Sequence, residues 1–81
     1  MARVSGFVDD QGLLKKLGSS IRATRKAMNL SQESLADAAG IDRSHMGKIE
    51  RGERNVTLLN LVRIAKALGS RPSILMSEAG L

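Results

Sequence analysis

Arg43, Ser44 and Lys48 stand close together in residues 30–54, LSQESLADAAGIDRSHMGKIERGER. Their guanidinium, hydroxyl and ammonium groups can donate hydrogen bonds, and the hydroxyl can also accept them. Met46 and Ile49 interleave with them at helical spacing. On a helix the apolar pair faces inward, while Arg43, Ser44, Gly47 and Lys48 share the other side. Cations and a hydroxyl held outward on a rigid backbone can read hydrogen-bonding edges or grip an anion. The stretch offers no nucleophile beside a base and no phosphate loop, so an enzyme is not expected. With His45 as the chain's one histidine and no cysteine, no metal site and no cofactor are expected either.

The surrounding residues describe how that helix is held. Ser31 can cap a preceding helix, with Gln32 in its first turn and Ser34 where a capping box prefers Glu or Gln. Leu35, Ala36 and Ala39 give that helix a close-packing apolar side, and Gly40 can take the left-handed conformation that stops it. Ile41 then points inward and Asp42 can cap the next helix. Two short helices joined by a glycine-containing turn form a helix-turn-helix unit, whose second helix is shaped to enter a major groove.

The rest of the chain builds a body for this unit. With 81 residues there is room for one small core, and with 42% apolar residues but a single aromatic, Phe7, that core must be aliphatic. Leu13, Leu14, Leu17, Ile21 and Met28 predict a first helix over about 13–28. Gly18 within it either admits a close helix contact or weakens the helix, at about 1 kcal/mol relative to alanine. Thr57 can cap a fourth helix with Leu58, Leu61, Val62, Ala65 and Leu68 inward and Ile64 widening the stripe. Gly69 ends it, and Ser70 and Pro72 can start a short, apolar fifth. Residues 1–11 read as an N-terminal tail and 12–81 as one all-α domain. In the tail, Val4, Phe7 and Val8 can rest on the domain or stay loose, and Arg3 can serve as an arm.

Thirteen Lys and Arg against eight Asp and Glu give a net charge of +5, which favours a polyanionic partner. No apolar run approaches the roughly 20 residues of a membrane span, and no signal-peptide pattern opens the chain. A cytoplasmic, nucleoid-associated protein of bacterial or phage type is expected.

With these residues in view, the chain resembles the phage-repressor and Cro-type, or XRE-like, helix-turn-helix family. The resemblance runs from Ile21-Arg22 and Arg25 through Leu30-Ser31-Gln32-Glu33, Leu35-Ala36 and Gly40-Ile41. It continues in Ser44, Met46, Lys48-Ile49-Glu50, Gly52 and Arg54-Asn55, and closes with Thr57-Leu58 and residues 64–69. It implies a compact five-helix, lambda-repressor-like domain that binds double-stranded DNA as a homodimer on a palindromic operator. Arg43, Ser44 and Lys48 match the base-contacting positions. Arg43 and Lys48 can bond guanine acceptors and Ser44 either a donor or an acceptor, a good bidentate pair being worth about 1–3 kcal/mol of discrimination. Gln32, Arg51, Arg54, Asn55, Arg22, Lys26 and His45 form the expected phosphate-contacting set, the matching glutamine also bracing recognition contacts in the resembled family. The resemblance further implies that Arg25 and Glu50 pair and orient the recognition helix. Gly47 departs from the family's small polar residue there, and His45 from its usual small, hydroxylic or aromatic one.

Pairing of two copies is expected through Leu59, Ile74, Leu75, Met76 and Leu81, which can alternatively close the protomer's own core. Because little besides the DNA-binding domain is present, an autoregulator is expected, with a restriction–modification controller the preferred kind and a contact with RNA polymerase part of that reading. The alternatives are an antitoxin that binds a toxin and represses its own operon, and a helical protein-interaction domain that does not bind DNA.

Overall fold

The computed structural model describes Asp9 and residues 11–81. The expectations for Arg3, Val4, Phe7 and Val8 lie outside the described residues. Five helices follow in order: α1 Leu13–Ala27, α2 Gln32–Ala39, α3 Arg43–Glu50, α4 Leu58–Ala67 and α5 Pro72–Glu78. The fold is all-α. Helices this short are marginal alone, so each is held by its caps and by its neighbours. The Ser31 hydroxyl accepts from the Ser34 backbone N–H, the Thr57 hydroxyl from Asn60, and the Asp42 carboxylate from Ser44 and His45. Gly40 stops α2 at φ 68°, a conformation that disfavours any side chain.

Two ends differ from the sequence reading. The start of α1 is capped from outside the helix by Asp9, whose carboxylate accepts from the backbone N–H groups of Leu13 at 2.6 Å and Leu14 at 2.9 Å. Ser70 does not cap α5. Its backbone N–H donates to the Ala65 carbonyl at 2.8 Å, closing the end of α4, and Arg71 takes the cap position without a side-chain bond. Pro72 in the first turn of α5 lowers the cost, because it brings no N–H that needs a partner.

α2 packs on α4 and on α3, α1 on α3 and α5, and α4 on α5. The centre is aliphatic: Ile21, Leu35, Met46, Ile49, Ile64 and Leu75 are fully buried. Full burial of side chains this size contributes about 1.5–3 kcal/mol each. Leu13 and Met28 lie exposed at the two ends of the first-helix stripe, beyond the turns that pack. Leu58 and Val62 are also exposed, a correction to the inward stripe of α4. The buried arc there is Leu61, Ile64, Ala65 and Leu68. Val62 sits about 100° round the helix from Leu61, off its edge, and Leu58 lies in the uncovered first turn.

Gly18 resolves to a close contact. A Cβ built on it would stand 2.5 Å from the Glu50 carbonyl oxygen and 2.6 Å from that of Ile49. The middle of α1 therefore lies directly on the last turn of α3, which sets how far α3 projects.

Candidate nucleic-acid interface

α3 is fixed along one side and open along the other. Met46 and Ile49 are buried in the core, whereas Arg43 and Ser44 are exposed and Lys48 is half-buried. At its start, Asp42 Oδ2 accepts from the backbone N–H groups of Ser44 (3.1 Å) and His45 (3.4 Å), and the Ser44 hydroxyl donates to the same oxygen. These donors, the hydroxyl first, hold the Asp42 carboxyl below its ordinary value. With its O–H directed at Asp42, the Ser44 oxygen keeps lone pairs with which to accept from a base amino group.

At its end, α3 is held by a buried charge pair. Arg25 Nε donates to Glu50 Oε2 at 2.8 Å and Nη2 to Oε1 at 2.9 Å. Arg25 Nη1 donates in addition to the Leu30 carbonyl at 2.9 Å. The bond to Glu50 raises the Arg25 pKa above its ordinary value, against the opposing effect of burial. Gln32 joins the same cluster, its Nε2 donating to Glu50 Oε1 at 3.1 Å. One carboxylate thus ties α1, the start of α2 and the end of α3 together.

Arg22, Arg25, Gln32, Glu50 and Arg51 line a polar cleft of about 230 Å³ at the mouth of this cluster. Three arginines and the first turn of α2 give it a positive character suited to an anion. The cleft brings together Arg22, Gln32 and Arg51 of the expected phosphate set. Arg54, Asn55 and Lys26 are exposed outside it, and His45 is half-buried on α3. Gly47 lies between Arg43 and Ser44 around the helix, as its spacing implies, but it is covered by the Arg51 and Gln32 side chains. It is buried, and a Cβ on it would come within 3.1 Å of Arg51 Nη1 and 3.2 Å of Gln32 Oε1. Its lack of a side chain gives those two the room to cross α3.

Carboxylates that the sequence reading did not assign also stand here. Arg43 Nη1 donates to Glu33 Oε2 at 3.0 Å, and Arg51 donates to both carboxylate oxygens of Glu53 at 3.1 and 3.2 Å. The Arg51 guanidinium is the chief cause of a lowered Glu53 pKa. Neither partner had a clear sequence signal. Glu33 meets Arg43 only through the turn, and nothing in the local pattern singles out Glu53. Among the described residues no cluster of three or more His, Cys, Asp or Glu side chains could hold a metal, and no helix is long and apolar enough to cross a membrane.

On the remaining surface, Leu59, Ile74, Met76 and Leu81 are exposed. Leu75, grouped with them from the sequence, is at 0% exposure. It is a core residue because α5 turns it onto α1, where the Leu75 carbonyl accepts a buried bond of 2.8 Å from the Ser20 hydroxyl.

Comparison with known proteins decides the lineage, since the helix-turn-helix family pattern matches residues 21–75. The chain belongs to the XRE/Cro-type helix-turn-helix family. Within the family it is 45% identical over 65 residues to the control protein C.SmaI of Serratia marcescens, covering 80% of this chain and 77% of that protein. It is 43% identical over 60 residues to the control protein C.BamHI of Bacillus amyloliquefaciens, covering 73% and 74%. The crystal structure of the restriction–modification controller protein C.AhdI from Aeromonas hydrophila aligns at a TM-score of 0.75 and 48% identity, over 76% of this chain and 94% of that one. The architecture is the family's lambda-repressor-like five-helix domain.

Proposed function

We propose that this helix-turn-helix protein is a sequence-specific, double-stranded DNA-binding transcriptional regulator that controls its own expression in a restriction–modification system. The observation that carries the reading is the mounting of α3. Met46 and Ile49 lock its inner side, Arg25 and Glu50 fix its end, and Arg43, Ser44 and Lys48 are left together on the open side. The net charge of +5 and the arginine-lined cleft supply attraction to the backbone, which positions the protein without reading sequence. Likeness to control proteins favours the controller kind over other regulators of the family.

One α3 touches few base pairs, so the protein works as a homodimer that reads the two halves of a palindrome. The two recognition helices then stand about 34–36 Å apart, one DNA turn. Leu59, Ile74, Met76 and Leu81 supply the pairing surface. A contact with RNA polymerase, made on the nucleoid beside the operator, converts occupancy into regulation.

Selection of bound fragments from genomic DNA by the full chain tests this directly. The expected product is an inverted repeat upstream of the protein's own gene. Recovery of fragments with no shared sequence would overturn sequence-specific regulation.

A further inference from the structure

Asp42 caps α3, and Ser44 stands in the first turn two residues on. The Ser44 hydroxyl oxygen lies 2.5 Å from Asp42 Oδ2. That carboxylate oxygen also accepts from the backbone N–H groups of Ser44 and His45, so Asp42 cannot turn away without uncapping the helix. Held below its ordinary value, the Asp42 carboxyl is ionised near neutral pH and can only accept. The proton in the contact therefore belongs to Ser44 and points at Asp42. Ser44 is exposed on the open side of α3, and what it offers outward is oxygen lone pairs.

We propose that Asp42 is a specificity-determining residue: it makes Ser44 an obligate acceptor, so that Ser44 selects an exocyclic amino group in the major groove. The inference rests on the reading that Ser44 faces bases. In that groove the amino groups are adenine N6 and cytosine N4, while guanine N7 and O6, thymine O4 and adenine N7 are acceptors. To accept from an amino group, Ser44 keeps its bond to Asp42 and gains a second. To donate to a base acceptor, it must take its one proton from a carboxylate and give it to a neutral atom. A charge-assisted bond is roughly twice as strong as a neutral one, so the exchange loses. Water refills part of that loss at an exposed carboxylate, which keeps the discrimination modest but leaves its sign. The cost falls on one class of base edge and spares the other, so it changes the preference among sequences, as a phosphate contact would not. Arg43 and Lys48 are donors only, and Asp42 thereby sets the one acceptor among the three. It is a positioning residue for Ser44.

Anisotropy titrations test this on the duplex recovered by genomic selection, with base analogues placed singly in one half-site and each compared between the parent and Ser44→Ala. Purine for adenine and 2-pyrimidinone for cytosine delete the amino group and tell its two sources apart. Deazapurines delete N7, 2-aminopurine deletes guanine O6, and 5-methyl-2-pyrimidinone deletes thymine O4. One amino deletion is expected to weaken the parent roughly 2- to 12-fold more than it weakens Ser44→Ala, the span of one neutral hydrogen bond. Acceptor deletions should weaken the two proteins alike. At the base pair so identified, the transition that puts a keto oxygen in place of the amino group should cost the parent at least about two-fold more than Asp42→Gly, since glycine tolerates the cap position but frees the hydroxyl to donate. That difference should vanish when both proteins also carry Ser44→Ala, whereas a purely structural cap would lower all affinities in proportion. An excess on an acceptor deletion, or an Asp42→Gly effect that survives the loss of Ser44, would overturn the proposal. If no deletion distinguishes Ser44→Ala from the parent, the reading of Ser44 as a base contact fails as well.

Discussion

Arg25 and Glu50 meet side-on, two guanidinium N–H groups on two carboxylate oxygens at 2.8 and 2.9 Å, joining residues 25 positions apart. Their side chains are only 10% and 2% exposed. Such a pair adds little net stability, because desolvation offsets most of the attraction, but breaking it strands a charge. Arg25→Met is expected to cost about 3 kcal/mol, the low end for buried pairs because this one borders an open cleft. Arg25→Met with Glu50→Leu should recover most of that loss in urea denaturation. The double variant should still bind DNA weakly, since Gln32 and the end of α3 have lost their common anchor. A single variant as stable as the parent would show that the pair is dispensable.

Gly18 supplies a test in which local propensity and packing disagree in sign. Alanine is the better helix former by about 1 kcal/mol. Its Cβ, however, would meet backbone carbonyls of Ile49 and Glu50 at 2.6 and 2.5 Å, and a backbone cannot step aside as a side-chain tip can. Gly18→Ala is therefore expected to lower stability by about 1–3 kcal/mol, the usual cost of overpacking. A raised denaturation midpoint would mean that α1 and α3 are less closely seated than described.

Asp42 makes the start of α3 acid-sensitive. Its carboxyl is held below the ordinary value by the Ser44 hydroxyl and the His45 and Ser44 backbone N–H groups. A depressed folded-state pKa means stabilisation that is fully present above the unfolded value of about 3.9, and lost as pH falls through the folded one. The stability difference between the parent and Asp42→Asn should thus be largest near neutrality and shrink on acidification through that range. Thermal midpoints recorded against pH check it. A difference that grew in acid would contradict the cap.

What the sequence could reveal divides by the range of the interaction. Ser31, Asp42, Thr57 and Gly40 act on backbone within a few residues, so the helix limits around the turn could be read directly. Arg25 and Glu50 carry no local signal for each other, and only the family resemblance implies their pairing. Ile74, Leu75 and Met76 are consecutive apolar residues on a short helix. Which one turns inward depends on how α5 docks on α1, so spacing alone leaves Leu75 open between the pairing surface and the core, and the fold places it in the core. Periodicity left Gly18 with two meanings, because the carbonyls it approaches lie more than thirty residues further along the chain. The Glu33–Arg43 and Arg51–Glu53 pairs are similarly invisible until the turn and the end of α3 have geometry.

The apolar surface of α4 and α5 separates assembly from folding. Leu59 is 68% exposed, whereas Leu75 is fully buried. Leu59→Glu is expected to give a folded monomer in analytical ultracentrifugation at micromolar protein, under conditions where the parent is expected to sediment as a dimer. Leu75→Ala should instead cost about 2–5 kcal/mol of protomer stability, the range for large-to-small core changes. Parent protein that stays monomeric both alone and on operator DNA would refute the pairing.

Backbone grip and base reading should separate by residue across the DNA surface. Arg54 is exposed just beyond α3, without a carboxylate partner among the described residues, and is assigned to phosphate. Arg54→Ala should weaken operator and scrambled duplexes alike and reduce the salt slope by about 0.9. Arg43→Ala and Lys48→Ala should each remove about 1–3 kcal/mol of preference for the operator while leaving scrambled-duplex binding much less affected. Salt pulls the two classes further apart, because counterion release dominates the scrambled complex and contributes only part of the specific one. Titrations of the three variants on both duplexes at several salt concentrations measure each quantity. If all three lost affinity in the same proportion on both duplexes, α3 would be gripping the backbone, and sequence would have to be read elsewhere.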